Sequence, residues 1–205
     1  KSKGKKLIQP LLKNLNVTIK PGQLVVVHGA VSSGKSMLLN GLIDSLEVLS
    51  GSKKMSGSVS FLPQTSFLMT DTIRNNVMFG EDYDFLKYQK CIKLSQMEGD
   101  LRLLEDGDRT QVTENGVNLS GGQKQRVALA RALYQDSDIY LMDDVLSAID
   151  NHLSSRIFSE AIYNHLRARR KTVVICSNDL GLLKYADVQI EVKNRQIFVE
   201  YNTQS

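Results

Sequence analysis

Residues Gly29-Ala30-Val31-Ser32-Ser33-Gly34-Lys35-Ser36 fit the pattern G-x-x-x-x-G-K-[ST]. That spacing is suited to cradling a chain of phosphates. Glycines at 29 and 34 let the backbone turn tightly, so that successive N–H groups can converge on an anion. A helix beginning at the end of the loop adds free N–H groups and the positive end of its dipole. Lys35 is then placed to reach the β- and γ-phosphates, and the Ser36 hydroxyl to ligate Mg²⁺. Farther along, Asp143 and Asp144 follow the apolar run Ile139-Tyr140-Leu141-Met142. A carboxylate at the end of such a strand is where a phosphate-binding loop finds its second metal ligand.

These groups need rigid elements to hold them. Leu24-Val25-Val26-Val27, just before the loop, is a short β-branched run of the kind that forms a buried parallel strand. Lys35 to Ile43 carries apolar residues three and four apart, which predicts a helix. Leu15–Ile19 alternates apolar and polar residues and predicts a half-buried strand that turns at Pro21-Gly22. A Ser/Gly-rich loop, Ser50–Ser60, leads into a strand at Val59–Leu62, with Gln64 directly after it. Short helices are expected over Thr72–Phe79, Tyr83–Gln96 and Met97–Leu104, with Asp71 and Asp82 as caps. Gly107–Gly116 reads as a polar loop, and a helix runs from about Leu119 to Tyr134. The remainder reads as a helix over Asn151–His165, a strand at Val173–Cys176 and a hairpin around Asn194-Arg195. Strands alternating with helices around a phosphate loop imply a mainly parallel α/β core, with helices inserted between Gln64 and Leu119.

With 205 residues, 41% hydrophobic and 23% charged, the chain is long enough and apolar enough for one globular domain. The net charge of +4 is mild. The lysines at 1, 3, 5 and 6 read as a solvated segment, and no nucleic-acid partner is expected. Cys91 and Cys176 lack metal-ligand spacing and are expected to be reduced thiols without a zinc site. No apolar run approaches the length of a membrane span and no signal peptide is visible, so any membrane part is expected outside these residues.

The run Leu119-Ser120-Gly121-Gly122-Gln123-Lys124-Gln125-Arg126 resembles the signature of the ATP-binding-cassette (ABC) ATPases. Gln64 resembles their Q-loop, and Ser147-Ala148-Ile149-Asp150 their D-loop. Phe61-Leu62-Pro63-Gln64, Asp108-Arg109-Thr110 and Glu114-Asn115-Gly116-Val117-Asn118 resemble the C, or multidrug-resistance-associated, branch. The resemblance covers nearly the whole chain. It implies a phosphate-loop NTPase (RecA-like) fold: a mainly parallel sheet core with an antiparallel β subdomain and an inserted α-helical subdomain. Residues 1–69 and 124–205 would be the ATP-binding core and 70–123 the helical part. It implies Mg-ATP as ligand, held by residues 29–36, with Ser36, Gln64 and Asp143 on the metal. Ser120, Gly121, Gly122 and Gln123 would close over the nucleotide of a second nucleotide-binding domain in a head-to-tail pseudo-dimer. The other implied partners are transmembrane domains, which put the chain at the cytoplasmic face of a membrane.

Three departures bear on activity. The glutamate that follows the Walker B aspartate in the family is Asp144 here, and the switch histidine is Asn178, after Ser177. Asp144, Gln64 and Asn178 are therefore the candidate catalytic residues, in a site expected to be degenerate and weakly hydrolytic, as in first-half domains. His28, His152 and His165 do not fit the switch role. Ser32 stands where the C branch usually has a glycine, which is tolerable if its φ is negative. The family's adenine-stacking aromatic should lie well before Gly29, yet the first aromatic here is Phe61. Phe67, Leu68 and Met69 either line a groove for a membrane-domain helix or are buried in the helical part. Two alternatives stay open: a regulatory domain of an ABC-type channel or receptor, and a soluble non-transport ABC ATPase.

Overall fold

The computed structural model describes residues 10–202; the basic cluster at 1–6 lies outside them. Six strands form one sheet in the order β2-β3-β4-β1-β5-β6: β1 Leu24–His28, β2 Val59–Leu62, β3 Ile139–Asp143, β4 Thr172–Cys176, β5 Val188–Lys193 and β6 Gln196–Tyr201. The first five are parallel, and β6 returns antiparallel to β5. The fold is thus the expected α/β class with a mostly parallel sheet, its antiparallel component being the β5–β6 pair. Asn194 and Arg195, at φ 52° and 61°, make the tight turn between them.

The strands are apolar throughout because the sheet is covered on both sides. Leu24 and Val26 of β1, Tyr140 and Met142 of β3, and Val173 and Ile175 of β4 enter one core. Val25 and Val27, Leu141, and Val174 and Cys176 enter the other. Helix α1, Lys35–Leu42, supplies Leu38 and Leu39 to the second core. The first is filled by α2 (Ile73–Met78), α3 (Phe85–Leu94), α5 (Gly121–Gln135) and the helix that begins as α6 (Asn151–Arg156) and runs on as a π-helix over Ile157–Leu166. The short α4, Glu98–Leu103, precedes two 3₁₀ turns, Gly107–Arg109 and Glu114–Gly116, within the expected polar loop.

Two expectations are corrected, and one open alternative divides residue by residue. Leu15–Ile19 is not a strand: Val17 and Ile19 pack against the second core from an irregular segment, so the alternation reflects packing without a ladder. The caps of α2 and α3 are Thr72 and Asp84, whose side chains accept from the N–H groups of Asn75 and Lys87. Asp71 sits one residue too early and instead accepts from the Thr72 N–H and the Asn75 side chain. Of the Phe67–Met69 trio, Phe67 is 67% exposed while Leu68 is buried at 4% and Met69 is partly covered.

Candidate functional site

Val27, Cys176 and Asp143 are paired across β1, β4 and β3, so three neighbouring parallel strands end at one level. The loops leaving those ends are Gly29–Ser36, Ser177–Asp179 and Asp144 onward. Leu62 pairs with Met142, which brings Gln64 to the same edge from β2. Carboxyl ends of parallel strands are where open α/β sheets hold ligands.

The loop Gly29–Ser36 wraps tightly. Gly29 has φ 143°, and a Cβ there would collide with the Val192 carbonyl oxygen. Gly34 has φ 113° and precedes α1. Ser32 also lies in the left-handed region, at φ 61°, which corrects the expectation of a negative φ. Among the described residues, the N–H groups of Val31, Ser32, Gly34, Lys35 and Ser36 take no partner, and the buried Ser33 hydroxyl has none either. A row of free donors beside an ammonium fits a polyphosphate. Lys35 is only 8% exposed. Its Nζ donates to the carbonyls of Gly29 (2.8 Å) and Ala30 (3.1 Å) and to Asn178 Oδ1 (3.0 Å).

Asp143 is buried at the end of β3 and Ser36 is exposed at the start of α1. Asp144 sits at φ 51°, a conformation Asp tolerates, with its N–H on the Cys176 carbonyl (3.1 Å). Its Oδ2 accepts from Gln64 Nε2 at 3.4 Å. Beneath them, burial, with the carboxylates of Asp143 and Asp144, pushes the Cys176 thiol far up, against the opposing pull of Lys35. Asn178 is exposed at its loop tip, where Ser177 Oγ accepts from the Asp179 N–H (3.0 Å) and Asp179 Oδ1 from the Gly181 N–H (2.8 Å). His28 ends β1, His152 lies in α6, and His165 lies in the π-helix that continues it.

Ser120 is the N-cap of α5 in a reciprocal capping box. Its Oγ accepts from the Gln123 N–H (3.2 Å), and Gln123 Oε1 accepts from the Ser120 N–H (2.9 Å). The Gln123 amide donates to Asp100 Oδ1 (2.9 Å), whose other oxygen holds buried Arg126 (2.6 Å). Gly121 faces open space; a Cβ on Gly122 would press to 3.0 Å of the Ala148 carbonyl. The signature and the loop Ser147–Asp150 are thereby in contact. In that loop Ser147 Oγ donates to the Asp144 carbonyl (2.8 Å), and Asp150 caps α6.

Three further residues position these elements, Gln125 within the signature run and Arg131 and Asn76 outside any motif. Buried Gln125 donates to the carbonyls of Pro63 (3.3 Å) and Gln64 (3.1 Å), tying α5 to the loop after β2. Arg131 reaches the Phe67 and Asn76 carbonyls and Asn76 Oδ1. Asn76, fully buried, bonds both the N–H and the carbonyl of Met69. The only sequence signal of Arg131 and Asn76 is a polar residue on an otherwise apolar helix face.

A family profile for ABC transporters matches residues 12–147. The chain is 40% identical over 186 residues to ABC transporter C family member 3 of Dictyostelium discoideum, covering 91% of this chain and 13% of that protein. It is 40% identical over 180 residues to ATP-binding cassette sub-family C member 2 of Mus musculus, covering 88% and 12%. It is 41% identical over 188 residues to ABC transporter C family member 13 of Oryza sativa subsp. indica, covering 92% and 12%. The chain thus spans only a small part of each of these relatives. Domains matching this profile are in general ATPases. Phosphate loop, strand-end carboxylates, capped signature and these similarities agree, and the chain belongs to the ABC transporter family.

Proposed function

We propose that the chain is a nucleotide-binding domain of a C-type transporter, in the first-half position. It binds Mg-ATP at Gly29–Ser36 and couples binding to substrate movement through transmembrane domains, from the cytoplasmic face of the membrane. The observation that carries the reading is the common level of the β1, β3 and β4 ends, which gathers Lys35, Asp143, Asp144 and Asn178 at one edge.

Lys35 and the free loop N–H groups take the phosphates. Ser36, Asp143 and Gln64 are the residues that would hold Mg²⁺, and the ion would supply positive charge to offset that of the phosphates. Asp144, with Gln64 against it, orients the attacking water. Its carboxylate is one methylene shorter than glutamate's, and a setback of about 1 Å costs on the order of 10²-fold in rate. Asn178 carries no positive charge toward the γ-phosphate. The site therefore holds ATP and turns it over slowly. The N-terminus of α5, with Ser120, Gly121 and Gly122, completes the nucleotide site of the second domain, while Gln123 fixes the cap. Residues 70–123 act as the helical subdomain, and exposed Phe67 offers a contact to a membrane-domain helix.

Lys35→Ala is expected to abolish most Mg-ATP binding in titration calorimetry, because several charge-assisted contacts go with it. Asp144→Glu with Asn178→His is expected to raise phosphate release only when the second-half domain is present. Fast hydrolysis by the unmodified chain alone would refute the degenerate-site reading.

A further inference from the structure

We infer that Asn178 is an affinity-setting residue that competes with the nucleotide for Lys35. The inference rests on the nucleotide-site reading above. An ammonium has three N–H donors. All three of Lys35 are engaged within the chain: by Gly29 O at 2.8 Å, Asn178 Oδ1 at 3.0 Å and Ala30 O at 3.1 Å. The lysine is almost wholly covered in this arrangement, being 8% exposed. A phosphate oxygen can take a short hydrogen bond from it only by displacing one of these acceptors. Two of them are carbonyls of the loop that wraps the phosphates. The third is the one side chain of the set, and it comes from the loop after a different strand.

The contact is built into the fold. Cys176 is held level with Val27 and Asp143, and the Ser177 N–H donates to the Val27 carbonyl at 3.0 Å. The Ser177 hydroxyl and the Asp179 carboxylate brace the loop on either side of Asn178. The amide oxygen must face the lysine, because an ammonium offers only donors. A neutral amide is well matched to this position. It accepts a charge-assisted bond and still yields to a phosphate, whereas a carboxylate would bind the ammonium harder and repel the anion. Substitution of the family's histidine by Asn178 thus removes a cation from the γ-phosphate and also adds an acceptor that restrains Lys35 before nucleotide arrives.

The test is titration of the 205-residue chain and its Asn178→Ala variant with Mg-ATP and with Mg-ADP. Because Lys35 serves the β-phosphate too, the variant should bind both nucleotides more tightly, by roughly fivefold. If Asn178 served only as a donor to the γ-phosphate, the variant would weaken ATP and leave ADP unchanged. That result, or unchanged affinity for both, would overturn the inference. A second readout needs no nucleotide. In ¹⁵N-lysine spectra of the ligand-free chain, the Lys35 ammonium protons should exchange slowly, and faster in Asn178→Ala; equal exchange would overturn the restraint. If wild type and variant alike bind neither nucleotide, the site assignment falls and the inference with it, a failure distinct from binding that Asn178→Ala leaves unimproved.

Discussion

Ser32 is held at φ 61°, where a side chain costs about 1 kcal/mol relative to glycine. Ser32→Gly should relieve that strain and raise the thermal midpoint by about 2 °C for a domain of this size; scanning calorimetry reads it. The strain was not legible, since only glycine announces a positive φ in a sequence. The rest of the loop was legible, because Gly29, Gly34, Lys35 and Ser36 act through local chain geometry at fixed spacing. The pairing of Lys35 with Asn178 joins residues far apart in the chain, and nothing local in either stretch announces it.

At the scale of elements, the helices after Gln64 are held to the sheet core by buried polar anchors as well as by apolar packing. Asn76 satisfies both backbone groups of Met69 and receives Arg131, with no exposed surface of its own. Asn76→Ala would take this partner from the part-buried N–H and carbonyl of Met69 and from Arg131, and about 3 kcal/mol of stability should be lost, read by urea unfolding. The capping of α2 shows how far the sequence can be read. Asp71 and Thr72 are both good caps, and which one serves depends on where the first helical residue falls, a boundary set by the packing of Ile73 into the core. The Leu15–Ile19 segment shows a second limit. An alternating pattern requires two faces, one buried and one wet, but leaves open whether a neighbouring strand is there to pair.

For the whole molecule, strand existence and parallel direction followed from the apolar runs, whereas the order of strands did not. Strand β1 carries the phosphate loop and lies between β4 and β5, both from the last third of the chain. During synthesis the loop therefore leaves the ribosome long before the two strands that flank it exist. Until Val173–Ile175 and Val188–Val192 emerge, the apolar run of β1 has no neighbours on either edge, and the centre of the sheet cannot close. A nascent chain halted at Arg170 would contain all of Gly29–Ser36, Gln64, Asp143 and the signature. It should nonetheless bind no Mg-ATP and should recruit chaperones, as a pull-down of stalled ribosomes would reveal. Nucleotide occupancy would then mark a chain whose translation has passed β5, so the cell could not load this site before both strands that flank β1 had been made.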